Sequence, residues 1–383
     1  MLGNDNKMLK NAYFCVQGKD PRMKNDFKSI YAAVKSRIEN FEIAPGELLP
    51  SETELAQEFG VSRPTVTKVY NQLQEDGLVV KKRGFGTEVL KHKGNSLPLY
   101  GLLLPGAGES EIFGVINDKL MEMASPNTYA CLCEGAGASN AKIRSYLLES
   151  CTDEYISKGV DGVIFSPLER VDDADALNRT VCRKLDEAGI PVVLVDRDIY
   201  NFPQRSDYDL VCLDNYSAGF LMAEHFIGQG HKNIYFFHRP FSAYSVQLRI
   251  SGVSSAMRQA GLEFSARNVI CAETSDFSVL KPGLFEPGAA IICANDSTAA
   301  MLIPSLESIG YEIGKNIFVS GYDNMRYARQ LKYPLTSFRQ PCEKIAELAV
   351  ELMARRIANP SAAVVTVNLT GELIVRESSV KIQ

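Results

Sequence analysis

The chain has 383 residues, 45% of them hydrophobic and 23% charged, which suits two or three folded domains and excludes a mostly disordered polymer. No apolar run approaches the roughly 20 residues that cross a bilayer, and the opening MLGNDNKMLKNAYF lacks the apolar stretch and cleavage pattern of a secretory signal, so a cytoplasmic protein is expected. The net charge of −5 is uneven: residues 22–93 carry 12 Lys+Arg against 10 Asp+Glu, and residues 94–383 carry 26 against 34. A mildly basic head on an acidic body suits a polyanion-binding module joined to a small-molecule sensor.

Residues 1–24 are polar and aperiodic and are expected to be a flexible extension. Phe27, Ile30, Tyr31, Val34 and Ile38 then recur at helical spacing. Ser51 followed by Glu54 is a capping box that starts a second helix, with Leu55, Ala56 and Phe59 on its apolar face and Gly60 as its stop. Ser62 caps a third helix, Pro64 stands in its first turn, and Val66, Val69, Tyr70 and Leu73 form its core stripe. Strand signals at Leu78–Val80 and Thr87–Leu90 flank the basic glycine turn KKRGFG. Helix, helix, turn, helix and hairpin make a winged helix-turn-helix over 25–90, and the polar stretch 91–98 reads as a linker.

From residue 99 to 383 short apolar runs alternate with helical patterns, beginning YGLLL, NTYACLC, VDGVIF, IPVVLVD and DLVCLD. KNIYFF, AAIICAND and IFVSGYD follow. The alternation predicts multidomain α/β architecture, with a two-lobed body of doubly wound parallel sheets behind the head. The nine cysteines are an odd number and read as reduced, mostly buried thiols; Cys131 and Cys133 fall in an apolar strand and read as core.

A recognition helix enters the major groove at its N-terminal end, here Ser62, Arg63 and Thr65, followed by Thr67 and Lys68. Arg63 suits bidentate bonding to guanine, the hydroxyls suit phosphates or base edges, and Lys81, Lys82 and Arg83 suit the backbone rail. The segment LPSETELAQEFGVSRPTVTKVYNQLQEDGLVVKKRGFGTEV resembles the GntR-type winged-helix head of bacterial transcription regulators. The resemblance implies DNA contacts from Glu52, Thr53, Ser62, Arg63, Thr65, Thr67 and the wing near Gly84.

In the body, Asp196-Arg197, Asp214-Asn215, Asn295-Asp296 and Asp323-Asn324 stand at the carboxyl ends of apolar runs, where open α/β sheets bind ligands. Each either bonds a ligand's hydroxyls or caps the next helix. Phe113, Tyr216 and Tyr244 are aromatic candidates for stacking on a ring. The four histidines show no metal-ligand spacing, and no nucleophile or phosphate-loop motif occurs, so no enzyme, catalytic residue, metal or cofactor is expected. VDGVIFSPLE, IPVVLVDR, CLDNYSAG, IICANDSTAA, VSGYDN, LTSFRQP and LIVRESS resemble the LacI-type effector domain. The resemblance implies effector contacts at Glu109, Phe113, Asp196, Tyr244, Arg249, Asn295, Asp323 and Gln340, with Ser242 to Ser245 completing the pocket. The two resemblances together match the AraR class of hybrid repressors. They imply a homodimer that binds double-stranded operator DNA and is released by a monosaccharide, with L-arabinose as one candidate. The alternatives are a nucleobase or sugar-phosphate effector, or an aminotransferase-like body holding pyridoxal phosphate. Asp196 and Asp323 argue against an anionic ligand, which like charges would repel.

Overall fold

The computed structural model describes residues 26–39, 42–43, 46–82, 85–90, 97–105, 111–125, 129–133 and 141–381. The chain divides into two compact units, Met1–Ser96 and Leu97–Gln383. The expected N-terminal extension, and residues 91–96 of the expected linker, lie outside the described residues.

The first unit holds α1 (Phe27–Glu39), α2 (Glu52–Phe59), α3 (Arg63–Glu75) and the antiparallel hairpin β1 (Val79–Lys82) and β2 (Gly86–Val89). Ile30, Val34 and Ile38 fall on one face of α1 and pack with Leu55, Val66, Val69, Tyr70, Leu73, Val79 and Val89 into one core. Each such side chain contributes about 1.5–3 kcal/mol on burial. The capping box forms: Ser51 Oγ accepts from Glu54 N at 3.2 Å, and Glu54 Oε2 accepts from Ser51 N at 2.8 Å. Gly60 ends α2 with φ 65°, a left-handed geometry that glycine adopts without strain. Ser62 occupies the N-cap position of α3 but makes no side-chain cap bond; its hydroxyl lies 2.9 Å from Thr65 Oγ1 instead. Lys81 and Lys82, expected in the wing's turn, extend β1, because Lys82 pairs across the ladder with Gly86.

The second unit contains two six-stranded sheets. The first lobe has β3 (Leu99–Leu103), β4 (Ala130–Cys133), β5 (Gly162–Phe165), β6 (Val192–Val195), β7 (Asp209–Leu213) and β13 (Thr366–Leu369). They are all parallel, in the order β13-β7-β6-β5-β3-β4. The second lobe has β8 (Ile234–His238), β9 (Val269–Cys271), β10 (Ala289–Cys293), β11 (Ile317–Tyr322), β12 (Thr336–Arg339) and β14 (Glu372–Ile374). Their order is β14-β12-β11-β10-β8-β9, with β14 alone antiparallel. The apolar runs fill the sheet interiors; β3, β5, β6, β7, β10 and β11 are buried at every residue, as strands covered on both faces require. Strands β9, β12, β13 and β14 carry no comparable run and were not expected. Three of them are short and half-exposed at sheet edges, and β12 mixes polar residues into TSFR.

The helices of the body are α4 (Glu111–Met123), α5 (Ala141–Lys158), α6 (Ala174–Glu187), α7 (Asn215–Gly228), α8 (Ser245–Gln259), α9 (Asp296–Ser308) and α10 (Cys342–Ala358). Although α10 follows the second lobe in sequence, it packs on β5, β6 and β7 of the first and against α4. Gly162 makes room there, since a Cβ on it would sit 2.2 Å from Met353 Sδ. The chain thus passes between the lobes three times, at β7–α7, β12–α10 and β13–β14. In the second lobe, α7 and α8 cross at backbone contact. A Cβ on Gly219 would lie 2.1 Å from Arg249 O, and one on Gly252 2.0 Å from Tyr216 O.

Candidate functional site

In the head, Glu52 links the first helix of the helix-turn-helix to the recognition helix and the wing. Its Oε2 accepts from Arg63 Nε at 3.1 Å and Thr67 Oγ1 at 3.0 Å, while Lys81 Nζ lies 3.8 Å from Oε1. Burial works to raise the Glu52 pKa, yet the Thr67 hydroxyl and the Arg63 and Lys81 cations outweigh it and hold the carboxyl below its ordinary value. Arg63 is 70% exposed and is thereby aimed without being covered. Thr53, Ser62 and Lys68 are also exposed. Lys81 donates to Asn71 Oδ1 at 2.7 Å and Lys82 pairs with Glu88 at 2.5 Å. Arg83 and Gly84 lie outside the described residues, and Phe85 beside them is 77% exposed. Asn71 and Phe85 carry no sequence signal of their own beside the wing's cations.

In the body, a cavity of about 320 Å³ lies at the carboxyl ends of the strands and gathers Phe113, Asp196, Arg249, Asn295, Asp323 and Gln340. Its size is at the small end for a small-molecule site. A larger space of about 740 Å³ adjoins it across Ile112, Asp323 and Gln340, but the smaller one holds the convergent polar groups. Asp196 and Asp323 follow β6 and β11 with φ 70° and 101°, conformations that cost a non-glycine residue about 1–3 kcal/mol. Neighbouring strands enforce them: Asp196 N donates to Val211 O and Asp323 N to Phe338 O, both at 2.9 Å.

Arg249 is buried on α8 against the α7 crossing. Its Nε donates to Asn215 Oδ1 at 2.8 Å and its Nη1 to Ala294 O at 2.6 Å, with the guanidinium 4.4 Å from the centre of the Tyr322 ring. Burial raises the Asp323 pKa, while Arg249 and the amide of Gln340, which donates to Asp323 Oδ1 at 2.7 Å, oppose the shift. Asn295 both lines the cavity and caps α9, accepting from Thr298 N at 2.8 Å, so both readings of that residue hold together. Asp214 caps α7 through Ser217 N at 2.9 Å and does not line the cavity.

Phe113 lies on α4 and is buried, with the Arg197 guanidinium 5.7 Å from its ring centre. Two expectations change. Tyr244 does not line the cavity but donates its hydroxyl to Asp175, and Tyr216 is exposed on α7 away from it. Glu109 lies outside the described residues. Ser242, Ala243 and Ser245 do line the cavity.

Sequence reasoning missed Arg144, Glu169, Arg170 and Arg239; these four line the cavity, as does Arg197, which the sequence offered with Asp196 at a strand end. Arg197 and Glu169 had a visible signal, since each closely follows an apolar strand. Arg197 bonds Asp196 Oδ2 at 2.7 Å and Glu169 Oε2 at 3.1 Å. Burial works against its charge, but these two carboxylates outweigh it and raise its pKa. The segment after β5 also meets the segment after β8. Ala243 N donates to Glu169 Oε2 at 2.7 Å and Arg170 N to Phe241 O at 3.0 Å, which ties the lobes across the cleft. Among the described residues, no cluster of three or more His, Cys, Asp or Glu side chains could hold a metal, and no helix is long and apolar enough to cross a membrane.

Comparison with known proteins agrees with both units. Residues 27–89 match the profile of bacterial regulatory proteins of the gntR family, and residues 223–379 match the periplasmic binding protein-like domain. The Arabinose metabolism transcriptional repressor of Geobacillus stearothermophilus is 24% identical over 362 residues, 91% of this chain and 96% of that protein. The HTH-type transcriptional repressor PurR of Mannheimia succiniciproducens is 27% identical over 241 residues, 59% of this chain and 66% of its own length. The crystal structure of transcription regulator CcpA of Lactococcus lactis superposes with a TM-score of 0.61 at 19% identity, covering 74% of this chain and 99% of that one. The chain joins a head that matches the gntR family to a body that matches the periplasmic binding protein-like domain.

Proposed function

We propose that the chain is a cytoplasmic transcription repressor that binds operator DNA as a homodimer and is released by a monosaccharide held between the lobes of its body. The head carries the DNA contacts, with Arg63 at a base edge and Lys68, Lys81 and Lys82 on the phosphate rail. Thr53, Ser62, Thr65 and Thr67 add hydroxyls, Glu52 aims Arg63, and Arg83 and Gly84 belong to the wing. Two heads would read half-sites one helical turn, or a small multiple of it, apart. The observation that carries the effector reading is Arg249. It is a buried guanidinium fixed by Asn215 and Ala294 O at the wall of a polar cavity, beside Asp196, Asn295, Asp323 and Gln340. Such a set of fixed donors and acceptors matches the several hydroxyls of a sugar ring. The comparison with the arabinose repressor supports the same class of effector.

Release requires that the sugar prefer one closure of the lobes over another, since a ligand indifferent to the two states shifts nothing. A hundredfold loss of operator affinity needs about 2.7 kcal/mol of coupling. The test is thermal melting of the full-length chain against monosaccharides, followed by a gel shift on a selected operator duplex. One sugar that raises the melting temperature by a few degrees and releases the duplex is the expected outcome. Stabilisation by a nucleobase alone would overturn the monosaccharide.

A further inference from the structure

We propose that the effector is a monosaccharide bearing an anionic group, a carboxylate or a phosphate, and that Arg170 receives that group; the proposal rests on the monosaccharide reading above. Among the described residues, Arg144, Arg170, Arg197, Arg239 and Arg249 line the cavity with the carboxylates of Glu169, Asp196 and Asp323. The pairing is unequal. Arg197 takes both Asp196 and Glu169, which removes the two acids nearest to it as a source of repulsion. Arg239 bonds Glu273 at 2.7 Å, an acid outside the lining. Arg249 is held by an amide oxygen and a carbonyl and faces Asp323. Among the described residues, the Arg170 side chain makes no hydrogen bond and no ion pair.

The geometry around Arg170 keeps it in place. Its φ is 59°, a left-handed conformation, and its backbone is fixed at both polar atoms. Its N–H donates to Phe241 O at 3.0 Å, and its carbonyl accepts from Arg144 Nη2 at 3.2 Å. Arg170 is half-buried, and burial lowers its pKa; the Arg239 and Arg144 cations add to that shift, with Glu169 and Glu273 opposing them. A half-buried cation beside like charges, lining a cavity, has its lost solvation replaced by no hydrogen bond or ion pair from the described residues. Hydroxyls of a neutral sugar would fill donors but leave the Arg170 charge without a counter-charge. A planar carboxylate or a phosphate accepts two N–H bonds from one guanidinium and cancels it. Ser297 and Thr298 line the same cavity and add hydroxyl donors, while the Ser242 hydroxyl donates to Arg239 O at 2.6 Å. The acids that argued from sequence against an anionic ligand are thus offset inside the site, and the structure reverses that expectation.

The experiment is isothermal titration of the full-length chain with matched pairs: D-galacturonate against D-galactose, D-gluconate against D-glucose, and D-ribose 5-phosphate against D-ribose, with hypoxanthine as the non-sugar probe. The expected result is one acid or phosphate that binds at least about tenfold tighter than its neutral partner, as a charge-assisted bond predicts. The same pair distinguishes carboxylate from phosphate. Arg170→Gln should weaken that ligand about ten- to a hundredfold and Arg170→Lys less, while Arg183→Gln, on the exposed face of α6, should leave it bound. Unliganded melting temperatures check that each variant folds. A neutral sugar that binds as tightly as its charged partner, or a charged ligand indifferent to Arg170→Gln, overturns this proposal and leaves the monosaccharide reading standing. Binding of none of these acids or phosphates also overturns this proposal, and binding of hypoxanthine alone overturns both.

Discussion

Arg249 holds three groups at once, and its removal separates structure from signalling. Arg249→Ala would strand Asn215 Oδ1 and Ala294 O in a buried position, where an unpaired polar group costs about 1–3 kcal/mol. The body should melt several degrees lower and lose its response to effector, while the heads still shift an operator duplex. A gel shift with effector titration checks this, and retained induction would remove Arg249 from the site. Asp296 gives a pH test. Burial holds its folded pKa well above the ordinary value, although Ser337 Oγ at 2.6 Å and Met325 N at 2.8 Å both donate to it. A group with a raised folded pKa contributes stability below its unfolded pKa, near 3.9, and loses that contribution as pH rises toward the folded one. The stability of wild type relative to Asp296→Asn should therefore improve as pH falls from 7 to 4, read by urea melts; a constant difference would refute it. Arg63→Ala should cost roughly 1–3 kcal/mol of operator binding and relax one base position, whereas unchanged preference in a selection experiment would exclude a base contact. Single residues were legible where a motif fixes them, as at Ser51, Gly60 and Arg63. Arg144, Arg170 and Arg239 come from three separated segments, and only the closed topology brings them to one cavity.

At the scale of elements, the α7–α8 crossing sets where Arg249 points. Gly219→Ala or Gly252→Ala would place a methyl about 2 Å from backbone oxygen, so the helices must part. Overpacking of this kind costs about 1–3 kcal/mol, and the melting temperature of the body should fall by several degrees with weaker effector binding. Unchanged melting in either variant would show that the crossing is not tight. The crossing was invisible in sequence, because a helical glycine signals close approach only once its partner is known. The parallel strands were readable for the opposite reason: strands such as Ala289–Cys293 are apolar throughout because both faces are covered. Strand β13 reads TVNL with an alternately exposed pattern, which resembles loop until its pairing with β7 is seen.

For the whole molecule, charge fits the division of tasks proposed above, with residues 22–93 carrying 12 Lys+Arg against 10 Asp+Glu and residues 94–383 carrying 26 against 34. If Lys68, Lys81 and Lys82 of two heads each neutralise a phosphate, log affinity should fall against log salt with a slope of about −5. A gel shift series across salt measures it, and a slope near zero would remove the phosphate contacts. The sequence showed a head, a body and two lobes; it did not show that the lobes exchange segments. That exchange has a consequence for the order in which the protein is made. Synthesis delivers β3 to β7 early, but the helix that covers their face, α10, arrives only with residues 342–358, and the edge strand β13 only with Thr366–Leu369. A nascent chain stalled just before these residues exposes the apolar face around Gly162 and the open edge of β7, although β8 to β12 of the second lobe have already been made. The first lobe to leave the ribosome is therefore among the last parts to be completed.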